Sequence, residues 1–562
     1  MSFDWAKHRI SGLDLASEGI VVVHVQYRTN IFGWITMNSS EFPGNFGLSD
    51  QTLALLWIQK HIIKFGGNPD NVTIMGHGTS GVTCALLHLI SPKTDELFSK
   101  MILMSGSSLN FRVTSDKRAS EIMIIKLGCY DTKTSIVLRC LRSKSVSDLL
   151  NAFDIVYQHG NYSIIPGPVL DTFRIEKHQY VPKNLDDVLK SGEYRKIPII
   201  IGICSNEGAF IRDYWIDLAR EGFESLRSYI NFTTLPFILR KYLFLEGENN
   251  QVIKALNWRY FQMVNPRHPS YLLNSMQRLI SEAEFEAPFY NTIELMARSI
   301  HQYTSPADAA DLYVYVYQNS NSMDLRGKIN LFGGASHSSD LPLLFGPSLF
   351  QQIARRRFTQ SEDKICRKLR QFFRNPTPGR IYDAWMTYTV TKKYIKILGD
   401  MMPTAQTNED FSMTFLEKNF AEIEEMLHKD TGNLEPSPTS REISNPYDLN
   451  KIDTKQRVKS TYVINRQDYE YFSRLKKVYS FWNVLLPSIY QSNNYQNNNI
   501  DTTSINDRNG KNIIIGEAEI LEANKYKHAF FWMLGLVCIL LASLGICTYV
   551  LRRDHPDWAA EL

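Results

Sequence analysis

The stretch "NVTIMGHGTSGVTCALLHLISP", residues 71–92, predicts a β-strand, a sharp turn and an α-helix in direct succession. A turn of this kind can lift a serine hydroxyl above the edge of a sheet in the pattern G-x-S-x-G, because small neighbours let the backbone approach closely. The turn here reads "GHGTSG", residues 76–81. The stretch therefore raises the question of which residue stands at the apex.

Further apolar runs predict a sheet around this turn. They are short, rich in β-branched residues and bounded by Gly, Pro or Ser, which is typical of buried parallel strands. These runs are "GIVVVHVQY" (19–27), "VTIM" (72–75), "KMILMSG" (100–106) and "IPIIIGIC" (197–204). Between them, "SDQTLALLWIQKHIIKFG" predicts a helix with Ser49 as its N-cap and Gly66 at its end. This alternation predicts an α/β fold, with a mostly parallel sheet and helices on both faces.

Composition limits the classes of partner. The 562 residues are 44% hydrophobic, which is enough for a large buried core. Lys and Arg number 62 against 58 Asp and Glu, a net charge of +4. So small a charge, with no concentrated basic stripe expected, predicts no nucleic-acid partner.

The C-terminal part changes composition twice. Residues 1–490 form the predicted large domain, with a polar insertion at about 403–466. An Asn-rich stalk follows at 491–528. The uncharged run "AFFWMLGLVCILLASLGICTYVL", 529–551, predicts one transmembrane helix, since about 20 apolar residues span a bilayer. Residues 552–562 are then a short cytoplasmic tail.

Two features bear on the compartment. Residues 1–13 lack the apolar run of a secretory signal peptide. The chain nevertheless carries N-x-[ST] sequons, which accept glycans when their segment enters the secretory lumen. They begin at Asn38, Asn71, Asn161 and Asn231. Cys129 and Cys140 flank a short polar loop, and their spacing alone fits a disulfide as well as two buried thiols.

Longer segments resemble the type-B carboxylesterase and cholinesterase family in order and spacing. The matching stretches are "GNFGLSDQTLALLWIQKHIIKFGGNPDNVTIMG" (44–76), "SPKTDELFSKMILMSGS" (91–107), "IPIIIGICSNEGAF" (197–210) and "GGASHSSDLPLLFG" (333–346). The resemblance implies an α/β-hydrolase fold and a disulfide between Cys129 and Cys140. It also implies that the N-terminal part of the domain is missing, including the family's glycine-rich oxyanion loop, from a truncated gene model or a variant transcript.

The resemblance assigns positions to a degenerate catalytic triad. Counted from the strand, "VTIMGHG" places Gly78 at the nucleophile position, whereas counting back from the helix places Thr79 there. Neither count puts a serine at the apex. Glu207 in "SNEG" matches the family acid, and His337 in "GASHSSD" matches the family base. In the enzymes, such a histidine takes the serine proton and the carboxylate holds its tautomer.

A hydrolase-like domain without its serine, followed by one membrane span, resembles the cholinesterase-like adhesion molecules, in particular neuroligins and gliotactin. This resemblance implies a single-pass plasma-membrane protein whose large extracellular domain binds a protein ligand on a neighbouring cell. It also implies a possible homodimer through the helix Tyr469 to Tyr490. The apolar side chains of that helix could equally face the domain's own core. They are Phe472, Leu475, Val478, Phe481, Leu485 and Leu486.

Two functional hypotheses follow. The first is a catalytically inactive pseudo-esterase that acts in adhesion or receptor–ligand recognition. The alternative is a membrane-anchored carboxylic ester hydrolase that uses Thr79 or Ser80 as a displaced nucleophile with His337 and Glu207. No cofactor is predicted, and no metal site, since the histidines near the elbow lack partners at ligand spacing.

Overall fold

A computed structural model describes residues 10, 12–108, 117–159, 167–211, 223–236, 238, 250–261, 269–303, 311–319, 334–374, 385–399 and 466–490. All of them lie in one compact unit, Met1–Tyr490. The predicted stalk, membrane span and tail, sequon Asn161 and nearly all of the insertion at about 403–466 lie outside the described residues. Among the described helices, none is long and apolar enough to cross a bilayer.

Five strands form one parallel sheet in the order β1-β2-β3-β4-β5. They are β1 (Thr73–His77), β2 (Lys100–Met104), β3 (Ile199–Cys204), β4 (Leu312–Tyr317) and β5 (Ile395–Leu398). The predicted α/β class with a parallel sheet is confirmed. Because all strands run the same way, their carboxyl ends meet at one edge, where loops can bring distant residues together.

Helices connect and cover the strands. The α-helices are α1 (Leu13–Ser17), α2 (Asn30–Trp34), α3 (Phe46–His61), α4 (Gly78–Ile90), α5 (Arg118–Lys126), α6 (Thr134–Ser143), α7 (Val146–His159), α8 (Leu185–Ser191), α9 (Phe223–Tyr229), α10 (Asn250–Phe261), α11 (Pro269–Ile280), α12 (Ala287–Tyr303), α13 (Leu341–Phe345), α14 (Pro347–Ala354), α15 (Gln360–Arg374) and α16 (Arg466–Tyr479). Short 3₁₀ turns are Ile62–Phe65, Pro69–Asn71, Glu176–His178 and Glu207–Ile211, and π-helical turns are Ile230–Thr234, Ser281–Glu286 and Ser480–Leu485.

Alternating strand residues face two different cores. Met101 and Leu103 of β2 pack in a cluster with α4, α8 and α12. Ile102 and Met104 pack on the opposite face, in a cluster with α13 and α15. Both faces are therefore apolar, which is why the strand sequences read as continuous runs.

The segment 19–27, predicted as a buried strand, is not one. Its residues belong to no strand of the sheet, and Gly19 at its start has a left-handed φ of 78°. Ile20 and Val22 pack towards the core, whereas Val21 and Val23 are each 41% exposed. A strand needs a hydrogen-bonded neighbour, and in the described part of the chain β1 pairs only with β2.

Helix α3 begins earlier than predicted. Its N-cap is Asn45, which adopts a left-handed conformation with φ 55°, so Ser49 lies inside the helix and the predicted N-cap is wrong. The Ser49 hydroxyl accepts a hydrogen bond from Tyr180 at 3.0 Å. The α-helix ends at His61, and the 3₁₀ turn Ile62–Phe65 continues it to Gly66, whose φ of 78° ends the helical stretch at the predicted residue.

Helix α16 and the π turn after it pack on the domain. Leu475, Val478, Phe481 and Leu486 are at most 6% exposed and belong to the domain's own cores. Phe472 is half-buried with its ring centroid 5.8 Å from that of Tyr290. Leu485, by contrast, is 50% exposed. Of the two interpretations left open, burial in the domain's own core holds for most of these side chains.

His88 of α4 gives a pH-dependent prediction. The side chain is 5% exposed, its Nε2 lies 2.8 Å from Gln51 Oε1, and burial lowers its pKa to about 4. An unfolded histidine has a pKa near 6.5, so between these values only the unfolded chain binds the proton and stability falls as the pH falls. We expect the wild type to lose about 2 kcal/mol more stability than His88→Gln between pH 7 and pH 5. Urea denaturation at both pH values measures this, and equal losses would contradict it.

Candidate functional site

The elbow predicted from "GHGTSG" lies at the carboxyl edge of the sheet. Strand β1 ends at His77 and α4 begins at Gly78, which has φ 71°. This left-handed conformation suits glycine and strains other residues. The turn is tight at Gly76 as well, because a Cβ there would lie 2.5 Å from the Gly81 carbonyl oxygen.

Glu207 and His337 meet at the same edge, although they are far apart in the chain. Glu207 follows β3, and its Oε2 lies 2.6 Å from Nδ1 of His337. The other carboxylate oxygen, Oε1, accepts the Cys204 backbone N–H at 2.7 Å. Both side chains are buried, with 0% and 7% exposed. We refer to this pair as the dyad.

Backbone contacts hold the two loops that carry the dyad. Asn206 and Ser336 form an isolated parallel bridge next to the dyad residues. The Asn206 N–H donates to the Ala335 carbonyl at 2.8 Å, and the Ala335 N–H donates to the Ser205 hydroxyl at 2.9 Å. The dyad is thus positioned by the main chain as well as by its own hydrogen bond.

The Nε2 side of the imidazole faces the elbow. An ideal Cβ placed on Gly78 would lie 3.6 Å from Nε2 of His337. Thr79 and Ser80 follow in the first turn of α4, where each residue is rotated about 100° from the one before it. Thr79 is half-buried and Ser80 is exposed.

Rings enclose the imidazole. The centroid of His337 lies 4.9 Å from that of His77 and 5.3 Å from that of Phe285. Burial lowers the pKa of His337, but the Glu207 charge and hydrogen bond outweigh it, so the pKa is raised. Burial and the nearby His337 hold the pKa of His77 well below its usual range. His337 therefore binds a proton more readily than His77 does.

Sequence reasoning missed a second buried acid beside the dyad. Asp340 is 1% exposed, its Oδ2 accepts the Tyr315 hydroxyl at 2.6 Å, and burial raises its pKa to about 6. Burial also raises the pKa of Tyr315. Asp340 lies three residues after His337 within the quoted "GASHSSD", so proximity in the motif was the available signal.

The remaining predicted site residues are the two cysteines and the sequon asparagines, of which Asn161 lies outside the described residues. Cys129 and Cys140 form a disulfide with a Cα–Cα distance of 5.5 Å. Asn71 is exposed at the end of a 3₁₀ turn, Asn38 is half-buried with φ 50°, and Asn231 is half-buried in a π turn. Within the described ranges, no group of three or more His, Cys, Asp or Glu side chains could hold a metal ion.

Comparison with known proteins identifies the family. The profile of the carboxylesterase family matches residues 2–416, and the chain therefore belongs to the carboxylesterase family. It is 28% identical over 393 residues to carboxylesterase 1C of Mus musculus, covering 69% of this chain and 66% of the relative. It is 27% identical over 339 residues to neuroligin-2 of Mus musculus, covering 60% and 37% of the two chains.

A third relative is acetylcholinesterase of Electrophorus electricus, 27% identical over 385 residues, with 64% of this chain and 58% of the relative covered. The chain thus spans 37% to 66% of the length of these three relatives. The predicted resemblance to this family, including neuroligins, is confirmed. Two of these relatives are named as esterases and one as a neuroligin. Membership of the family therefore does not decide whether this chain is an enzyme, which depends on its own residues.

Proposed function

We propose that this chain is a non-catalytic member of the carboxylesterase family that recognises a protein ligand on a neighbouring cell. The observation that carries the proposal is the glycine at position 78. A Cβ at this position would lie 3.6 Å from Nε2 of His337, but glycine has no side chain. A hydroxyl nucleophile in this family is activated by such an imidazole. With glycine at that position, the dyad has no hydroxyl there to activate.

The likeness to neuroligin-2 supports the binding role. The apolar run 529–551 after an Asn-rich stalk supports a single-pass plasma-membrane protein. The sequons support an extracellular domain, and of those described Asn71 is the most exposed. A homodimer through the helix Tyr469 to Tyr490 would have to use the face that remains exposed, which includes Val484 and Leu485.

The dyad has a structural role in this proposal. Glu207 begins the 3₁₀ turn after β3 and His337 lies shortly before α13, and their hydrogen bond ties these two segments together beside the Asn206–Ser336 bridge. Replacing one partner would leave a buried polar group unsatisfied, which typically costs about 1–3 kcal/mol. The pair can thus be retained without catalysis.

The alternative is an esterase that uses Thr79 or Ser80 as a displaced nucleophile. The preserved dyad and the two esterase relatives favour it. It requires one of these hydroxyls to come within about 3 Å of the imidazole. Thr79 is further restricted, since a β-branched side chain has few rotamers in the first turn of a helix.

Labelling with a fluorophosphonate tests the two hypotheses. This reagent reacts with activated hydroxyl nucleophiles, so we expect no label on the wild-type full chain purified from animal cells. A label that is lost in Thr79→Ala or Ser80→Ala would establish the alternative. For the binding role, cells that display the chain should aggregate with at least one population from a panel in which each population expresses one surface protein. No aggregation across the panel would contradict it.

A further inference from the structure

Positive charge is concentrated in one part of the described fold. Residues 355–374 contain eight Arg or Lys and two Asp or Glu, a local net charge of +6 in a chain whose total is +4. The expectation that the chain has no concentrated basic stripe is therefore wrong. The low total charge hides this segment because acidic residues elsewhere compensate for it.

The first part of the segment is a rigid turn between α14 and α15. Arg355 ends α14 in a left-handed conformation with φ 53°, and its N–H donates to Gln351 at 3.0 Å. Phe358 packs edge-on against Phe350 with centroids 4.8 Å apart. The guanidinium of Arg356 lies 4.7 Å from the centroid of the Phe350 ring.

A capping box fixes the start of α15. Glu362 is 1% exposed and accepts the Thr359 N–H at 2.7 Å, while the Thr359 hydroxyl accepts the Glu362 N–H at 3.2 Å. The same carboxylate binds both Nη atoms of Arg356 at 2.8 Å. Arg356 is thus used to hold the turn, and its charge is neutralised.

The neighbours of Arg356 are presented to solvent. Arg355 and Arg357 lie on either side of it and are exposed. Lys364 is exposed on the next helix, one turn before Arg367, which is 78% exposed and pairs with Asp363 at 2.5 Å. Within the described part of the chain, Arg355, Arg357 and Lys364 form no ion pair. We call these three residues the basic turn.

We propose that the basic turn binds a sulfated polysaccharide. Arginine forks match the oxygens of anionic groups, and a turn that is already rigid loses little entropy on binding. A linear polyanion gains affinity by releasing counterions when it meets several unpaired cations. The inference rests on the proposed extracellular position of the domain, because polysaccharides of this kind lie outside cells. The other occupant that fits this charge is an acidic protein surface.

The test measures binding of the full chain, purified in detergent, to immobilised heparin. The test variant carries Arg355→Gln, Arg357→Gln and Lys364→Gln. The control variant carries Lys133→Gln, Arg139→Gln and Arg142→Gln, which remove the same residue types from exposed positions in and before α6. We expect the test variant to weaken the Kd about tenfold or more and to reduce the slope of log Kd against log salt by about 2. The control should weaken the Kd less than about threefold.

Several results would overturn the proposal. An equal loss of affinity in both variants would mean that binding to heparin depends only on the net charge of the chain. Undiminished binding to desulfated heparin would exclude recognition of sulfate, and loss of binding to poly-glutamate but not to heparin in the test variant would favour an acidic protein. Surface staining of intact cells and fluorophosphonate labelling report on the proposed function separately, since neither depends on these three side chains.

Discussion

Gly78→Ser is expected to convert the unlabelled protein into one that reacts with a fluorophosphonate. A Cβ on residue 78 lies 3.6 Å from His337 Nε2, so a serine Oγ, one bond further, comes within hydrogen-bonding reach. The imidazole is already oriented by Glu207 at 2.6 Å, which is the arrangement that activates a serine. The left-handed φ of 71° would cost the new side chain about 1–2 kcal/mol.

Two control variants distinguish the effect of the serine hydroxyl from the effect of backbone strain at residue 78. Gly78→Ala carries the same backbone strain without a hydroxyl and should stay unlabelled. Gly78→Ser combined with His337→Gln keeps the hydroxyl but loses the base and should label far more slowly, on the order of 10²-fold or more. If folded Gly78→Ser protein reacted no faster than Gly78→Ser combined with His337→Gln, the assignment of Gly78 to the nucleophile position would be incorrect.

A large loss of stability is expected for Leu486→Ala and only a small one for Leu485→Ala. Leu486 is 0% exposed within the cluster formed by α10, α11 and the π turn, whereas Leu485 is 50% exposed. Truncating a buried leucine removes its burial energy and leaves a cavity, which costs about 2–5 kcal/mol. An exposed substitution typically changes stability by about 0.5 kcal/mol.

Adjacent leucines on one helix make this comparison well matched, because residue type, helix and deleted atoms are identical. Thermal or urea denaturation of the full chain gives the difference in stability. Sedimentation of the same variants tests the proposed homodimer. A shift from dimer to monomer in Leu485→Ala without a loss of stability would place the exposed face of this helix in a dimer contact. Equal destabilisation by both variants would contradict the difference in burial between the two leucines.

Much of the sheet could be predicted because its central strands are buried on both faces. Strands β2 and β3 are buried at every residue and lie within runs rich in apolar residues, a pattern typical of parallel strands covered on both sides. Strand β1 is mostly half-buried and is predicted from the short run 72–75 before the elbow. The segment 19–27 has the same composition but pairs with no strand in the described residues, so composition alone could not decide its state. Propensity describes what a segment can form, and a ladder also requires a partner.

Motifs suggested the candidate site residues one at a time. The elbow at Gly78, the acid at Glu207 and the base at His337 could each be read locally, but the 2.6 Å contact of the dyad depends on the order of the strands. The count that favoured Gly78 and the count that favoured Thr79 could not be separated in sequence. The direction of a Cβ at residue 78 is a property of the turn, and its 3.6 Å distance from His337 Nε2 supports the proposal that Gly78 holds the nucleophile position.

Helix α16 shows a further limit of periodic patterns. Leu475 and Val478 are buried at helical spacing, and an α-helix would bring Leu485 and Leu486, seven and eight residues after Val478, towards the same face. The π turn Ser480–Leu485 has a wider hydrogen-bond spacing, and with it Leu485 is exposed while Leu486, the residue after the turn, is buried. Helical periodicity in the sequence therefore could not distinguish the two leucines.

That π turn also fixes which change of length the segment can absorb. A π turn holds one residue more than an α-helix does over nearly the same rotation, so deleting one residue between Ser480 and Leu485 would let the segment close as an ordinary α-helix while Leu486 and the residues after it keep their present faces. A deletion in the regular part of α16 would instead rotate every later side chain by about 100° relative to the helix before it. Loss of one residue by mutation in this family should therefore be tolerated better in this turn than in the helix that precedes it.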